Sequence, residues 1–190
     1  GSGIIDGTAE MLKTGILQPD GAFNKNKQSE RIRKSKEDVL EYVLEWKDNT
    51  AVDIDITITQ KDIREVQKAK GAIQAAARIM MDELNVEKID QVFLAGAFGN
   101  YIDKESGRTI GLFPECDLDK VEPLGNAAGE GAKLALIDKE KMKEADKIPD
   151  LIKFIEIAGT EEFKNHYMET LYLPHRNLDL YPQTRKKLKL

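Results

Sequence analysis

Residues 91–102 read Gln91-Val92-Phe93-Leu94-Ala95-Gly96-Ala97-Phe98-Gly99-Asn100-Tyr101-Ile102. Val92 to Ala95 form a continuous apolar run, the pattern of a strand buried on both faces, because a half-exposed strand alternates. The run leads straight into Gly96-Ala97-Phe98-Gly99-Asn100. A buried strand that ends in glycines leaves backbone N–H groups and unfilled space at the C-terminal edge of a sheet, where open α/β sheets bind ligands. Small residues at 96, 97 and 99 let a flat ring or a phosphate approach the main chain. The same Gly-x-x-Gly also suits a tight turn into a helix, so the surroundings must decide.

Upstream, Thr59 stands three residues before Asp62, close to a capping-box pattern, and a helix is expected over 61–84. Ile63, Val66, Ala69, Ile73, Ala76, Ala77, Met80 and Leu84 make one apolar stripe along it. At ~1.5 Å per residue it spans roughly 36 Å. Residues 53–59 alternate, with Ile54, Ile56 and Ile58 on one face and Asp53, Asp55 and Thr57 on the other. They read as a half-buried strand whose aspartates face solvent rather than a metal. Residues 40–47 read as another strand, 22–38 as a polar, basic, solvated loop, and Ile4 to Leu17 as a helix stopped by Gly15, Pro19 and Gly21.

Downstream, 124–136 (LGNAAGEGAKLAL) predicts a helix whose small face is Gly125, Ala128, Gly129, Ala132 and Ala135. Each interior glycine costs ~1 kcal/mol relative to alanine, so the pattern needs a packing reason. An exposed helix is expected at 138–148, a strand at 153–157 and a capped helix at 160–171. The basic stretch 174–190 reads as a frayed tail or linker stub. Helices and strands interleaved in this order indicate an α/β fold.

The net charge of −5 and pI near 5.3 argue against a nucleic-acid-binding face. No apolar run reaches the ~20 residues of a membrane helix and no signal peptide is visible, so a cytoplasmic location is expected. One cysteine, Cys116, excludes an internal disulfide or an all-cysteine iron–sulfur cluster on these residues. Beside Pro114 and Asp117 it reads as inert. With His166 and His175 the only histidines, no metal site is expected. A first residue other than Met suggests a processed, tagged or excised chain.

Four blocks carry a resemblance: Gly1–Asp6 (GSGIID), Ile58–Ile63 (ITQKDI), Phe93–Tyr101 (FLAGAFGNY) and Gly125–Ala128 (GNAA). In this order they resemble the second half of the actin-like, or ASKHA, ATPases, and within them the reductive activators of corrinoid proteins. The resemblance runs from Gly1 to about Leu173. It implies an actin-like (ribonuclease H-like) half-domain over 1–173, a mixed sheet flanked by helices, with about 18–52 as a small subdomain insertion.

The resemblance places Gly96, Ala97, Phe98, Gly99 and Asn100 on the adenosine side of an ATP cleft, with Phe98 facing either the ring or the core. Ser2 and Gly3 would face ribose or phosphate, and Gly125, Asn126 and Gly129 would serve packing at the domain junction. Ala97 departs from the family's usual Gly-Gly pair. The phosphate loops and their acidic residues have no counterpart here, so no catalytic residue is named and the chain alone is expected to be inactive. The implied full protein uses ATP with Mg, carries an iron–sulfur cluster elsewhere, and returns a corrinoid protein of a methyltransferase system from Co(II) to Co(I). Neither nucleic acid nor membrane is an expected partner, and a homodimer is left open. Two other readings stand beside this one: a non-catalytic docking module, and an activator of a 2-hydroxyacyl-CoA dehydratase, which the single cysteine disfavours.

Overall fold

In the computed structural model the described residues are 1–96 and 98–190; Ala97 lies outside them. The chain begins with α1 (Gly3–Lys13), followed by β1 (Ile32–Lys34), β2 (Leu40–Glu45), β3 (Ile56–Thr59) and the long α2 (Gln60–Glu83). Next come β4 (Val92–Ala95), α3 (Lys104–Ile110) and β5 (Val121–Gly125). Then follow α4 (Ala127–Ile137), α5 (Lys139–Lys147), α6 (Glu161–Thr170) and α7 (Pro182–Leu188).

The first three strands form an antiparallel sheet in chain order, with Tyr42 opposite both Ile32 and Ile58. β4 and β5 form a separate parallel pair, Val92 opposite Val121, joined through α3 as a parallel connection requires. Between α1, α3 and the parallel pair lies a core of Ile5, Ala9, Leu12, Val66, Ile110, Leu112, Phe113, Val121 and Leu173, on which Val92 and Leu94 pack. A second core gathers Met11, Ile16, Leu17 and Phe23 against Ile58 and Ile63. Thus α1 is apolar on two sides and joins both sheets. Glu105 of α3 ties the outer ends together, accepting from Lys13 of α1 at 2.8 Å and from Lys187 of α7.

The Thr59 box forms as the sequence predicts. Thr59 Oγ1 accepts from the Asp62 N–H at 3.2 Å, and Asp62 Oδ2 accepts from the Thr59 N–H at 2.8 Å. Such a cap is worth about 1 kcal/mol. The buried face of α2 differs from the expected stripe: Gln67, Lys70, Gly71, Gln74 and Arg78 are buried, while Ile73, Met80 and Leu84 are exposed. Two features turn the helix this way. Gly71 lets α6 approach until an added Cβ would sit 3.3 Å from the Tyr167 ring, and the polar side chains bond the chain that follows α6.

Other expectations are corrected as well. The first helix ends at Lys13 because Gly15 turns back with φ +72°. Of the alternating isoleucines only Ile58 is buried; Ile54 and Ile56 lie at and beyond the start of β3, outside either core. Residues 152–157 have no regular secondary structure where a strand is expected. α4 buries none of its residues, so its small face does not contribute to the core.

The run Val92–Ala95 is not buried on both faces. Among the described residues β5 is the one strand partner of β4, and Phe93 is 53% exposed. No further strand among the described residues pairs with that edge. The basic stretch 174–190 is not frayed: Tyr181 is fully buried and donates a 3.0 Å hydrogen bond to the Phe113 carbonyl. Glu115 accepts from the N–H groups of Gln183 and Thr184, both at 2.9 Å, which fixes the start of α7. Among the described residues no helix is long and apolar enough to cross a membrane.

Candidate functional site

β4 and β5 run parallel, so their C-terminal ends lie side by side and each passes into a glycine. Gly96 has φ +95° and Gly125 φ +66°, conformations that favour glycine. The Gly96 N–H donates to the Gly125 carbonyl at 2.7 Å, joining the two sequence blocks that lie furthest downstream. A Cβ built at either glycine would meet nothing within 4 Å, so open space lies over both. After Gly96 the chain makes a short 3-10 turn, with the Asn100 N–H on the Gly96 carbonyl at 3.1 Å and that of Tyr101 on Phe98 at 3.1 Å. Phe98 and Asn100 are exposed. After Gly125, Asn126 Oδ1 accepts from the Gly129 N–H at 3.1 Å and starts α4. Backbone donors in glycine turns at a helix start suit an anionic or polar ligand.

Not every expected residue faces this space. The backbone of Gly99 lies outside the left-handed region, and an added Cβ would sit 3.3 Å from the Leu94 carbonyl carbon, so this glycine permits close packing under the turn. Ala97 lies outside the described residues. Ser2 and Gly3 open α1; the Ser2 carbonyl accepts from the Ile5 N–H at 2.8 Å, the Ser2 side chain makes no cap, and nothing lies within 4 Å of a Cβ at Gly3. Gly125 is the residue that sequence reasoning undervalued. The strand ahead of it, Val121-Glu122-Pro123-Leu124-Gly125, gives no alternation and contains a proline, so the pairing that brings Gly125 to Gly96 was hidden.

Two cavities flank these elements. One, about 680 Å³, runs beside β4 and includes Gly96, Phe98 and Gly99 in its wall. The larger, about 980 Å³, lies between the end of α2 and residues 114–117 and 179–183. It holds Asp82, Glu87, Glu115, Asp117 and Asp179 against Arg78 and Lys88, a predominantly acidic wall that disfavours phosphate, and none of the described candidate residues lines it. Cys116 borders it, buried, and burial pushes its thiol above the usual range, which suits an inert thiol. Asp82, Glu162 and His166 approach one another between α2 and α6, with His166 Nε2 at 3.0 Å from Asp82 Oδ2. A hydrogen bond between the histidine ring and the carboxylate at the surface accounts for that contact.

Comparison with known proteins agrees with this architecture. Residues 1–185 match the family model described as the C-terminal domain of RACo, the ASKHA domain. The corrinoid activation enzyme RamQ of Eubacterium limosum is 32% identical over 176 residues, which cover 88% of this chain and 30% of that protein. The [Co(II) methylated amine-specific corrinoid protein] reductase of Methanosarcina barkeri is 31% identical over 117 residues, 60% of this chain and 22% of that protein. A solved reductive activator for a corrinoid, iron–sulfur protein superposes with a TM-score of 0.87 at 34% identity, over 96% of this chain and 29% of that one. The chain therefore spans less than a third of each of these proteins. On the family match and the shared fold, the chain belongs to the RACo C-terminal family, the ASKHA domain of corrinoid reductive activators.

Proposed function

We propose that this domain forms one wall of the nucleotide cleft of an ATP-dependent activator that returns a corrinoid protein from Co(II) to Co(I). The observation that carries the reading is the Gly96–Gly125 hydrogen bond, which sets two glycine turns together under open space at the ends of parallel strands. Gly96, Ala97, Phe98, Gly99 and Asn100 would shape the adenosine side, with Phe98 and Asn100 offering an aromatic face and an amide. Ser2 and Gly3, at the uncapped start of α1, would offer backbone N–H groups toward ribose or phosphate.

Residues 2, 3 and 96–100 include no carboxylate, so a Mg ion bound with ATP would take its protein ligands from elsewhere. An iron–sulfur cluster does not fit this domain either, since Cys116 is its single thiol and is buried. The cobalt takes up one electron, and its donor lies outside these residues. What the domain contributes is differential affinity: a nucleotide that binds one arrangement of the activator more tightly shifts the population toward it. Through that shift ATP could alter the activator's grip on a corrinoid protein.

The test uses the complete activator carrying Phe98→Ala or Asn100→Ala, with ATP affinity measured by calorimetry and Co(I) formation followed by its absorbance. Both side chains are exposed, so the fold should persist. About tenfold weaker ATP binding is expected, equivalent to ~1.4 kcal/mol. Unchanged affinity in both variants would remove this loop from the nucleotide site.

A further inference from the structure

Asp82, Glu162 and His166 converge at a place that the nucleotide reading does not use. Asp82 stands on α2, while Glu162 and His166 stand four residues apart on α6, a spacing that puts both on one helix face. Thr170, a further turn along that face, donates from Oγ1 to the Gly71 carbonyl at 2.9 Å, so the face is the one packed on α2. At ~100° per residue, Asp82 lies on the side of α2 opposite the stripe Ile73, Ala77, Met80 and Leu84 that borders the β4 groove.

One ligand atom from each of the three side chains lies within 4.8 Å of the other two. His166 Nε2 is 3.0 Å from Asp82 Oδ2. Two ligands bound at ~2.0 Å to a tetrahedral ion stand ~3.3 Å apart, so an ion can replace the proton between these atoms with little movement. The hydrogen bond leaves Glu162 unengaged. Among the described residues no lysine or arginine pairs with Asp82 or Glu162, whereas their chain neighbours are paired, Glu83 with Lys153 and Glu161 with Lys164. Two carboxylates held together without a cation repel each other, and a bound cation removes that repulsion. The ligands also ride on fixed elements: Thr160 caps α6, accepting from the Phe163 N–H at 3.1 Å, and Gly71 brings α6 close to α2.

We propose that Asp82, Glu162 and His166 bind a divalent cation of the zinc class, which clasps α6 to the end of α2. An imidazole beside two carboxylates suits zinc better than magnesium or calcium, which take oxygen ligands. Two histidines are too few for a histidine-rich site, but the carboxylates complete a mixed one. In the bound form Nε2 gives its lone pair to the ion and the ring proton sits on Nδ1. Three protein ligands leave the fourth tetrahedral position to water. The chain between α2 and α6 carries both glycine turns, so the ion holds the two ends of that segment together.

The complete activator is passed over a chelating resin, and Zn(II) is titrated calorimetrically into the parent, His166→Ala and Glu162→Gln. The parent should show a one-to-one event that both variants lose or weaken at least about tenfold, as loss of even a partner outside the coordination shell does. Zinc should raise the melting temperature of the parent, and magnesium should not. Anomalous scattering at the zinc edge, from crystals of the parent, needs no variant. A peak is expected about 2.0 to 2.2 Å from His166 Nε2 and from an oxygen of each carboxylate. Equal zinc binding by parent and variants would overturn the proposal, as would the absence of that peak or magnesium binding as tight as zinc. Binding only at millimolar zinc would mark an adventitious ion and overturn it too. Zinc bound with no rise in melting temperature would overturn the clasp.

Discussion

Lys70, buried in the middle of α2, donates a 2.6 Å hydrogen bond from Nζ to the main-chain carbonyl of Pro174 and another to that of Tyr172. No carboxylate bridges to it among the described residues, so the chain carbonyls alone hold the ammonium. The contact binds the long helix to the turn that leads into the last seventeen residues. One α2 turn further on, Gln74 donates to the Tyr181 hydroxyl and continues the same polar seam.

Lys70→Met should cost about 2 kcal/mol of stability, because two buried carbonyls lose their donor while one buried charge is relieved. The pH dependence separates this from a packing defect. Burial lowers the Lys70 pKa from 10.5 to about 7. Between those values the unfolded chain holds the extra proton, so this residue makes stability rise with pH from about 7 toward 10.5 and leaves it flat below 7. Urea titrations at pH 7 and 9.5 should show that rise in the parent and a smaller one in Lys70→Met. Equal slopes would mean that Lys70 is not desolvated as described.

Gly111→Ala should be among the most damaging single changes, costing several kcal/mol. Gly111 ends α3 with φ +73°, and an added Cβ would lie 2.2 Å from the Pro174 carbonyl oxygen. That neighbour is backbone already held by Lys70, so it cannot move aside cheaply. Thermal unfolding of the two proteins is the measurement; a loss under ~1 kcal/mol would show that the turn can relax.

Much of this was legible in the sequence, and the misses have physical causes. Thr59 and Asp62 announce the start of α2 because a cap is a local event, complete within one turn. The buried face of α2 is not local. It is chosen by Gly71 and by carbonyls a hundred residues away, and it places Lys70 and Arg78 inside while Ile73 and Met80 stay outside. The Gly96 turn is visible as a motif, whereas its partner Gly125 depends on a parallel pairing across α3 that no short spacing encodes. Tyr181 lay hidden in a basic stretch whose average composition resembles a solvated tail.

Cys116→Ser should leave cobalt reduction by the complete activator unchanged. The thiol is buried, its pKa is raised by desolvation, and no second cysteine is available to it within these residues. Exchanging it for a hydroxyl in an apolar cluster should lower stability by roughly 1 kcal/mol. Loss of the iron–sulfur absorbance in this variant would show the thiol to be a ligand.

At Gly99 the structure changes the expected result of a substitution. A purely ligand-blocking effect would require open space, but the position rests on Leu94, with 3.3 Å between its added Cβ and the carbonyl carbon. Gly99→Val should therefore reduce ATP affinity and thermal stability together, by disturbing the turn that carries Phe98 and Asn100. A variant with weakened binding and an unshifted melting temperature would indicate that Gly99 borders the ligand directly.

The isolated chain should release no phosphate from ATP above background. Phosphoryl transfer depends on positioning the phosphates, a divalent metal and an attacking water together. Open space lies over Gly96 and Gly125, but the five carboxylates of the larger cavity are not among the described residues that wall the groove at Gly96. Residues 2, 3 and 96–100 likewise supply no carboxylate to hold a metal against a bound γ-phosphate. ATP affinity should also be weaker than in the complete activator, because a single wall buries only part of a ligand that intact pockets largely enclose. Calorimetric titration and a phosphate-release assay, each with and without Mg, make the comparison. Metal-dependent turnover near that of the complete activator, abolished by Gly96→Asp, would show that one wall carries the whole site.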